Sequence, residues 1–142
     1  MVKMYSLAQH LSDYFQCSTP FLEVCEVFCS LPYAAIVDDR GLCLHGGLSP
    51  HLQSLEMINT IPRPLDVGDS GLAFDLLWSD PSHMYEGWTI NDRGLGYSFG
   101  ADIVHLFCKA HDLGLICRGH EVPYDGYHYF ADKKLVTINS SA

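Results

Sequence analysis

Positive charge is scarce in this sequence. Its 142 residues hold eight Lys and Arg against seventeen Asp and Glu, for a formal charge of −9. Gripping a nucleic-acid backbone requires clustered cations, yet Lys133-Lys134 is the only adjacent pair, so nucleic acid is not an expected partner. Long apolar runs are also missing. No eighteen-residue stretch is both apolar and free of charge, which excludes a spanning helix and makes a membrane an unexpected partner. The start, Met-Val-Lys-Met-Tyr-Ser, leads into no apolar segment with a small-residue cleavage site, so a secretory signal is not expected. Internal repeats and linkers rich in Gly, Ser or Pro are absent. What remains, 48% hydrophobic and 18% charged, is the composition of one globular domain of ordinary core size.

Six cysteines are present, in apolar contexts where a reduced thiol behaves as a small hydrophobe. Cys25 and Cys29, four residues apart, share a helix face and could form half a zinc site, but no second Cys or His pair of matching spacing completes it.

Apolar spacing predicts helices over about Tyr5–Phe15 and Phe21–Ser30, the second opened by Thr19-Pro20 and ended by Pro32. Ala34-Ala35-Ile36-Val37 and Leu42-Cys43-Leu44 read as strands joined by a turn in which Gly41 is free to take positive φ. A helix is predicted from Ser49-Pro50 to about Thr60. The stretch Ile61–Phe99 reads as loop-rich, and a second amphipathic helix spans about Ala101–His111. Leu113–Cys117 is a short strand, and Tyr127–Phe130 with Leu135–Ile138 a hairpin. The mixture is an α/β or α+β layered protein.

Three pieces place a polar side chain after an apolar strand or on a loop, with glycine beside it. His45 follows Leu42-Cys43-Leu44 and precedes Gly46-Gly47. His120 follows Leu115-Ile116-Cys117 and Gly119. Arg93 lies in the turn-like Asn91-Asp92-Arg93-Gly94. Glycine lets backbone approach a ligand closely. Two neutral imidazoles at the ends of neighbouring strands could hold one divalent metal, and an arginine fork could hold two phosphoryl oxygens. Metal plus guanidinium is what phosphate-ester hydrolysis needs. Each piece alone is weak, since a lone histidine is more often a structural or surface residue than a ligand. His10, His51, His83, His105, His111 and His128 receive no role on this reading, Trp78 and Trp88 read as core or lid aromatics, and Asp80 before Pro81 could be a turn former.

Taken together, these pieces carry a resemblance. Leu31-Pro32-Tyr33-Ala34-Ala35-Ile36-Val37, His45-Gly46-Gly47-Leu48-Ser49-Pro50 and Arg63-Pro64-Leu65-Asp66-Val67 resemble the PPP family of protein serine/threonine phosphatases. So do Trp78-Ser79-Asp80-Pro81, Asn91-Asp92-Arg93-Gly94, Phe99-Gly100 and Ile116-Cys117-Arg118-Gly119-His120. Order and spacing match as well as identity over residues 31–137, nearest to the type-1 and type-2A catalytic subunits, so that residues 1–142 resemble the C-terminal part of such a catalytic domain. The resemblance implies a partial metallophosphatase β-sandwich flanked by helices, with the first half missing. It implies that His45 and His120 ligate the same metal, that Arg93 binds the substrate phosphate, and that Asp80 and Arg118 support the site.

It also implies two divalent metals, manganese, iron or zinc, as cofactors. Phosphoprotein substrates and regulatory subunits are the implied partners, and the cytoplasm and/or nucleus the implied location. The family's GDxHG, GDxVDRG and GNHE motifs, which carry the other ligands, a second phosphate-binding arginine and the catalytic histidine, do not occur here, and Gly68-Asp69-Ser70 is not one of them. The family's Ser-Ala-Pro-Asn-Tyr-Cys loop is replaced by Ile138-Asn139-Ser140-Ser141-Ala142. The expectation is a phosphatase by family, truncated, with at most one weak metal site and negligible activity as an isolated chain. The alternatives are a non-catalytic phosphatase-like protein-interaction module and a small metal-binding module. For the former, Leu115, Tyr127 and Tyr129 would contribute to a docking groove, although Gly41 replaces an apolar wall position.

Overall fold

The computed structural model describes residues 2–65, 67–68 and 70–139, with the side chains of residues 2–6 set aside. Asp66 and Asp69, named in the sequence reading, and the tail Ser140-Ser141-Ala142 lie outside the described residues. The chain divides into two units, residues 1–31 with 62–66, and residues 32–61 with 67–142.

The first unit is a helical pair, α1 (Val2–Phe15) and α2 (Thr19–Ser30), as the apolar spacing predicted. Gln16 at φ 56° reverses the chain between them. Pro20 sits in the first turn of α2, where its missing N–H removes a donor that would have had no helical partner. At the other end Leu31 turns extended, with ψ 149°, as Pro32 requires of its predecessor. Cys25 and Cys29 lie on α2 as free thiols, and among the described residues no group of three His, Cys, Asp or Glu forms a metal site.

The second unit is built on a five-stranded sheet. Its strands are β1 (Ala34–Val37), β2 (Gly41–Leu44), β6 (Leu115–Arg118), β7 (Tyr127–Phe130) and β8 (Leu135–Ile138), in the order β1-β2-β6-β8-β7. The central three run parallel, and the edge strands are antiparallel hairpin returns. The β1–β2 turn differs from expectation. The left-handed residues are Asp38 and Asp39, at φ 51° and 55°, and Gly41 is an ordinary strand residue paired with Val37. Two consecutive left-handed residues match the right-handed twist of the flanking strands, and aspartate tolerates that conformation better than most residues.

One face of this sheet presents Leu42, Leu44, Ile116, Leu135 and Phe130 to helix α5 (Ala101–Ala110), whose Val104 and Cys108 complete the core with Leu113. The helix from Ser49 to Thr60 is not formed. Only Glu56–Asn59 is helical, as α3. Ser49 is buried and its hydroxyl donates to the Asp75 carboxylate at 2.6 Å, so the hydroxyl that the sequence offered as a helix start is tied to another element. The supposedly loop-rich stretch 61–99 holds α4 (Leu72–Trp78) and a second sheet, β3 (Asp80–Pro81), β4 (Trp88–Ile90) and β5 (Tyr97–Phe99), in the order β3-β5-β4. Strands of two and three residues are too short for alternation to reveal. No helix among the described residues is long and apolar enough to cross a membrane.

The opposite face of the five-stranded sheet carries Val37, Cys43, Cys117, Val136, Ile138, Tyr127 and Tyr129 by strand alternation. Val37, Ile138, Tyr127 and Tyr129 are exposed. An exposed apolar face on a sheet with open edges favours association. Replacing Val37 and Ile138 together by Lys and Thr is expected to lower fluorescent hydrophobic-dye binding and concentration-dependent light scattering, while far-ultraviolet circular dichroism stays unchanged.

Candidate functional site

Parallel pairing of β2 with β6 sets Leu44 opposite Arg118. The residues that follow both strands therefore leave the sheet at the same edge, the C-terminal one where open parallel sheets place their ligands. His45 is the next residue after β2, and His120 lies two past β6. Gly119 N–H donates to the His45 carbonyl at 3.0 Å, fastening the two exits together. The glycines after His45 are required by close approach. A Cβ on Gly46 would lie 2.4 Å from the carbonyl carbon of Leu77, and one on Gly47 would lie 2.5 Å from Cε1 of Phe99. Gly46 N–H meets the Leu76 carbonyl at 2.8 Å, so the end of α4 rests directly on this loop. His120 itself takes φ 63°, a conformation that costs a non-glycine residue about 1 kcal/mol or more.

Beneath the histidines lies a buried guanidinium. The Arg118 side chain is 0% exposed. Its Nε donates to the Gly46 carbonyl, Nη1 to Glu121 Oε2 at 2.7 Å, and Nη2 to both Ser79 O at 3.2 Å and Asp80 Oδ1 at 2.6 Å. Burial pushes its pKa down, against the opposing pull of Asp80 and Glu121. The other oxygen of Asp80 accepts from Asn91 Nδ2 at 2.9 Å and pairs with Arg93 Nε at 3.1 Å. Arg93 N–H is in turn held by Asn91 Oδ1 at 2.9 Å, and Gly94 N–H closes the turn on Asn91 O at 2.8 Å. Arg93 is half-exposed while Asp80 is buried. The guanidinium is thus anchored through Nε, and its two terminal nitrogens have no partner among the described residues.

The imidazoles of His45 and His120 meet edge to face, with centroids 5.2 Å apart, and Trp78 stands perpendicular to His120 at 5.3 Å. Burial lowers the pKa of His45, helped by the Arg118 cation. Burial also drives His120 down to about 4, with Arg118, His45 and Arg93 adding to the effect and Asp80 opposing it. Both rings are therefore neutral at physiological pH, the form that coordinates metals. Among the described residues His120 Nε2 is buried without a hydrogen-bond partner, 4.0 Å from Asp80 Oδ1. An orphaned nitrogen of this kind is costly unless something binds it, and it suits a metal ligand. Asp80 is already engaged by two arginines and an asparagine. Among the described residues no third donor joins the two histidines.

The five residues singled out from sequence, His45, Asp80, Arg93, Arg118 and His120, come together in the second unit. Sequence reasoning assigned no role to Asn91, Glu121 or Asp75. Asn91 orients both Asp80 and Arg93, and its position at the head of an Asx turn was a usable signal. Glu121 pairs with Arg118 three residues earlier. Asp75, 3% exposed, holds Ser49 and thereby the loop after His45. The reading of Trp78 as core or lid is refined, since its ring packs on a site histidine.

Comparison with known proteins bears on the family and the fold. Residues 4–124 match a family described as calcineurin-like phosphoesterase. Among solved structures, a protein serine/threonine phosphatase from Saccharomyces cerevisiae, described as similar to human phosphatase PP5, superposes with a TM-score of 0.82 at 28% identity. That match covers 94% of this chain and 42% of the yeast chain, so the present sequence spans less than half of that protein's length.

Two arginines that touch the same carboxylate are expected to differ sharply in their contribution to stability. Arg118→Met leaves Asp80 and Glu121 short of a partner and is expected to cost about 3–5 kcal/mol. Arg93→Ala removes a half-exposed partner and is expected to cost about 1 kcal/mol or less. Urea denaturation of the two variants beside the parent chain checks the contrast.

Proposed function

The chain belongs to the calcineurin-like phosphoesterase family, and we propose that its site forms the phosphate-clamping, two-histidine part of a protein serine/threonine phosphatase centre. The observation that carries the reading is Arg93. Its Nε is pinned to a buried carboxylate, its two terminal nitrogens have no partner among the described residues, and it lies close enough to His120 to act on that ring electrostatically. A planar fork anchored in this way can offer two parallel donors to the oxygens of a phosphoryl group. Membership of a metallophosphoesterase family implies divalent metal ions; His45 and His120 are in the neutral form that holds one, and His120 Nε2 has no hydrogen-bond partner among the described residues. When bound, such a metal supplies Lewis acidity to activate water and neutralise charge on the ester oxygens.

The chain's own residues have defined tasks in this scheme. Asp80 accepts from Arg118 on one oxygen and from Arg93 and Asn91 on the other, so it holds the phosphate-binding fork at a fixed angle. Burial keeps both histidines unprotonated, with Arg118 adding to the effect at both and Arg93 at His120. Trp78 stands edge-on against one side of the His120 ring. Phosphoserine and phosphothreonine proteins are the proposed substrates, with regulatory subunits as partners and the cytoplasm and/or nucleus as the setting. Two imidazoles make a labile one-metal site, and nothing in the sequence supplies the GDxHG, GDxVDRG and GNHE residues. Turnover by this chain alone is therefore proposed to be negligible. The exposed tyrosines and valine of the open sheet face favour a second reading, a non-catalytic module that binds partner proteins.

The deciding experiment is phosphopeptide hydrolysis in manganese. The purified chain is expected to run at background, and adding a polypeptide that carries the three missing motifs is expected to restore turnover. Arg93→Ala should then abolish the restored rate. Turnover by the chain alone at the rate of a complete catalytic subunit would overturn the proposed inactivity. Failure of every complementing segment to restore it, with partner binding retained, would favour the interaction module.

A further inference from the structure

His83 and His128 lie apart from the site above and were given no role from sequence. His83 sits on the loop after β3, and His128 is the second residue of β7. Their Nε2 atoms face each other at 3.4 Å. That separation is long for an N–H hydrogen bond, which prefers roughly 2.7–3.2 Å between heavy atoms. It matches two nitrogens sharing one tetrahedral ion. With metal–nitrogen bonds of about 2.0–2.1 Å, the two ligands lie about 3.3 Å apart. We propose that His83 and His128 form a second, surface site for a divalent transition-metal ion of the zinc, nickel or copper type, bound through the two Nε2 atoms.

The pair is built rather than incidental. Phe130, two residues along β7 from His128 and therefore on the same strand face, is 4% exposed and packs edge-on against the His83 ring at 4.7 Å. The two imidazoles stand nearly perpendicular, at 84° with centroids 5.7 Å apart. The loop bearing His83 is anchored on both sides of it: Ser82 N–H donates to Phe99 O at 2.9 Å, and Met84 N–H to Ser82 Oγ at 3.2 Å. A ring positioned by a buried aromatic and an anchored loop loses little freedom when it takes up a metal. Both histidines are exposed, so an ion has free entry.

The donor set defines the class of ion. Imidazole nitrogen suits zinc, copper and nickel, whereas magnesium and calcium prefer oxygen. No third His, Cys, Asp or Glu completes a group here among the described residues, so the remaining positions fall to water or to a donor from a bound molecule. The adjoining cleft of ≈ 350 Å³, lined by Glu121, Tyr124 and Asp125 beside the pair, has room for both. An ion here would clamp the loop after Asp80 to strand β7.

The test is a zinc titration of the 142-residue chain under reducing conditions, read by the ring-nitrogen resonances of each histidine. Zinc is expected to shift the Nε2 signals of His83 and His128 together, at one shared midpoint, and magnesium to leave them in place. On a background of His45→Ala and His120→Ala, zinc should still bind. His83→Gln or His128→Gln on that background should weaken it by roughly tenfold or more. Shifts confined to His45 and His120, or separate midpoints for His83 and His128, would overturn the site and leave only a loose histidine contact. The phosphatase reading rests on Arg93, His45 and His120, so either inference can fail without the other.

Discussion

A guanidinium with no exposed surface cannot rely on water, so its donors have to be met by acceptors fixed in the fold. Arg118 meets this demand with Gly46, Ser79, Asp80 and Glu121. These acceptors come from three separate stretches: the loop after β2, the junction of α4 with β3, and the turn after β6. Satisfying one cation therefore locates all three. The glycines at 46 and 47 follow from the same constraint, because the end of α4 and the ring of Phe99 occupy the space where their side chains would stand.

Charge in the cluster is balanced before any ligand arrives. Arg93 and Arg118 face Asp80 and Glu121, so the formal charges cancel, and the two histidines are neutral through burial and the nearby arginines. The overall charge of −9 says nothing about this local balance. In the proposed function, net positive potential for a phosphoryl group would come from the metal that the family implies, with Arg93 supplying direction. A site with two imidazoles and one free fork has the recognition elements of phosphate-ester chemistry without a closed donor set. In the proposed function, turnover therefore depends on residues that this chain does not contain.

Much of the local structure was legible because it rests on periodicity and punctuation. The hairpin Tyr127–Ile138, the helix after Gly100, the helical pair and the strands leading to His45 and His120 follow patterns of adequate length. The misreadings share one cause. Ser49-Pro50 looks like a helix start, yet the Ser49 hydroxyl bonds to Asp75, 26 residues away. The strands β3, β4 and β5 are held by one another and by bonds such as Gly100 N–H to Gly87 O, not by any alternation of their own. The turn at Asp38-Asp39 takes left-handed backbone where the neighbouring glycine was the expected bearer.

The sequence by itself determined the elements that sit on apolar periodicity and the identities of the five chemical side chains. Their order and spacing were enough to mark the resemblance to the family. Tertiary structure alone decided what those side chains are to one another. The burial of Arg118, the use of Asp80 by two arginines at once, the unpartnered nitrogen of His120 and the meeting of His83 with His128 all join residues distant in the chain. Burial and distance between such residues are properties of the packed fold, and no local pattern of residue types encodes them.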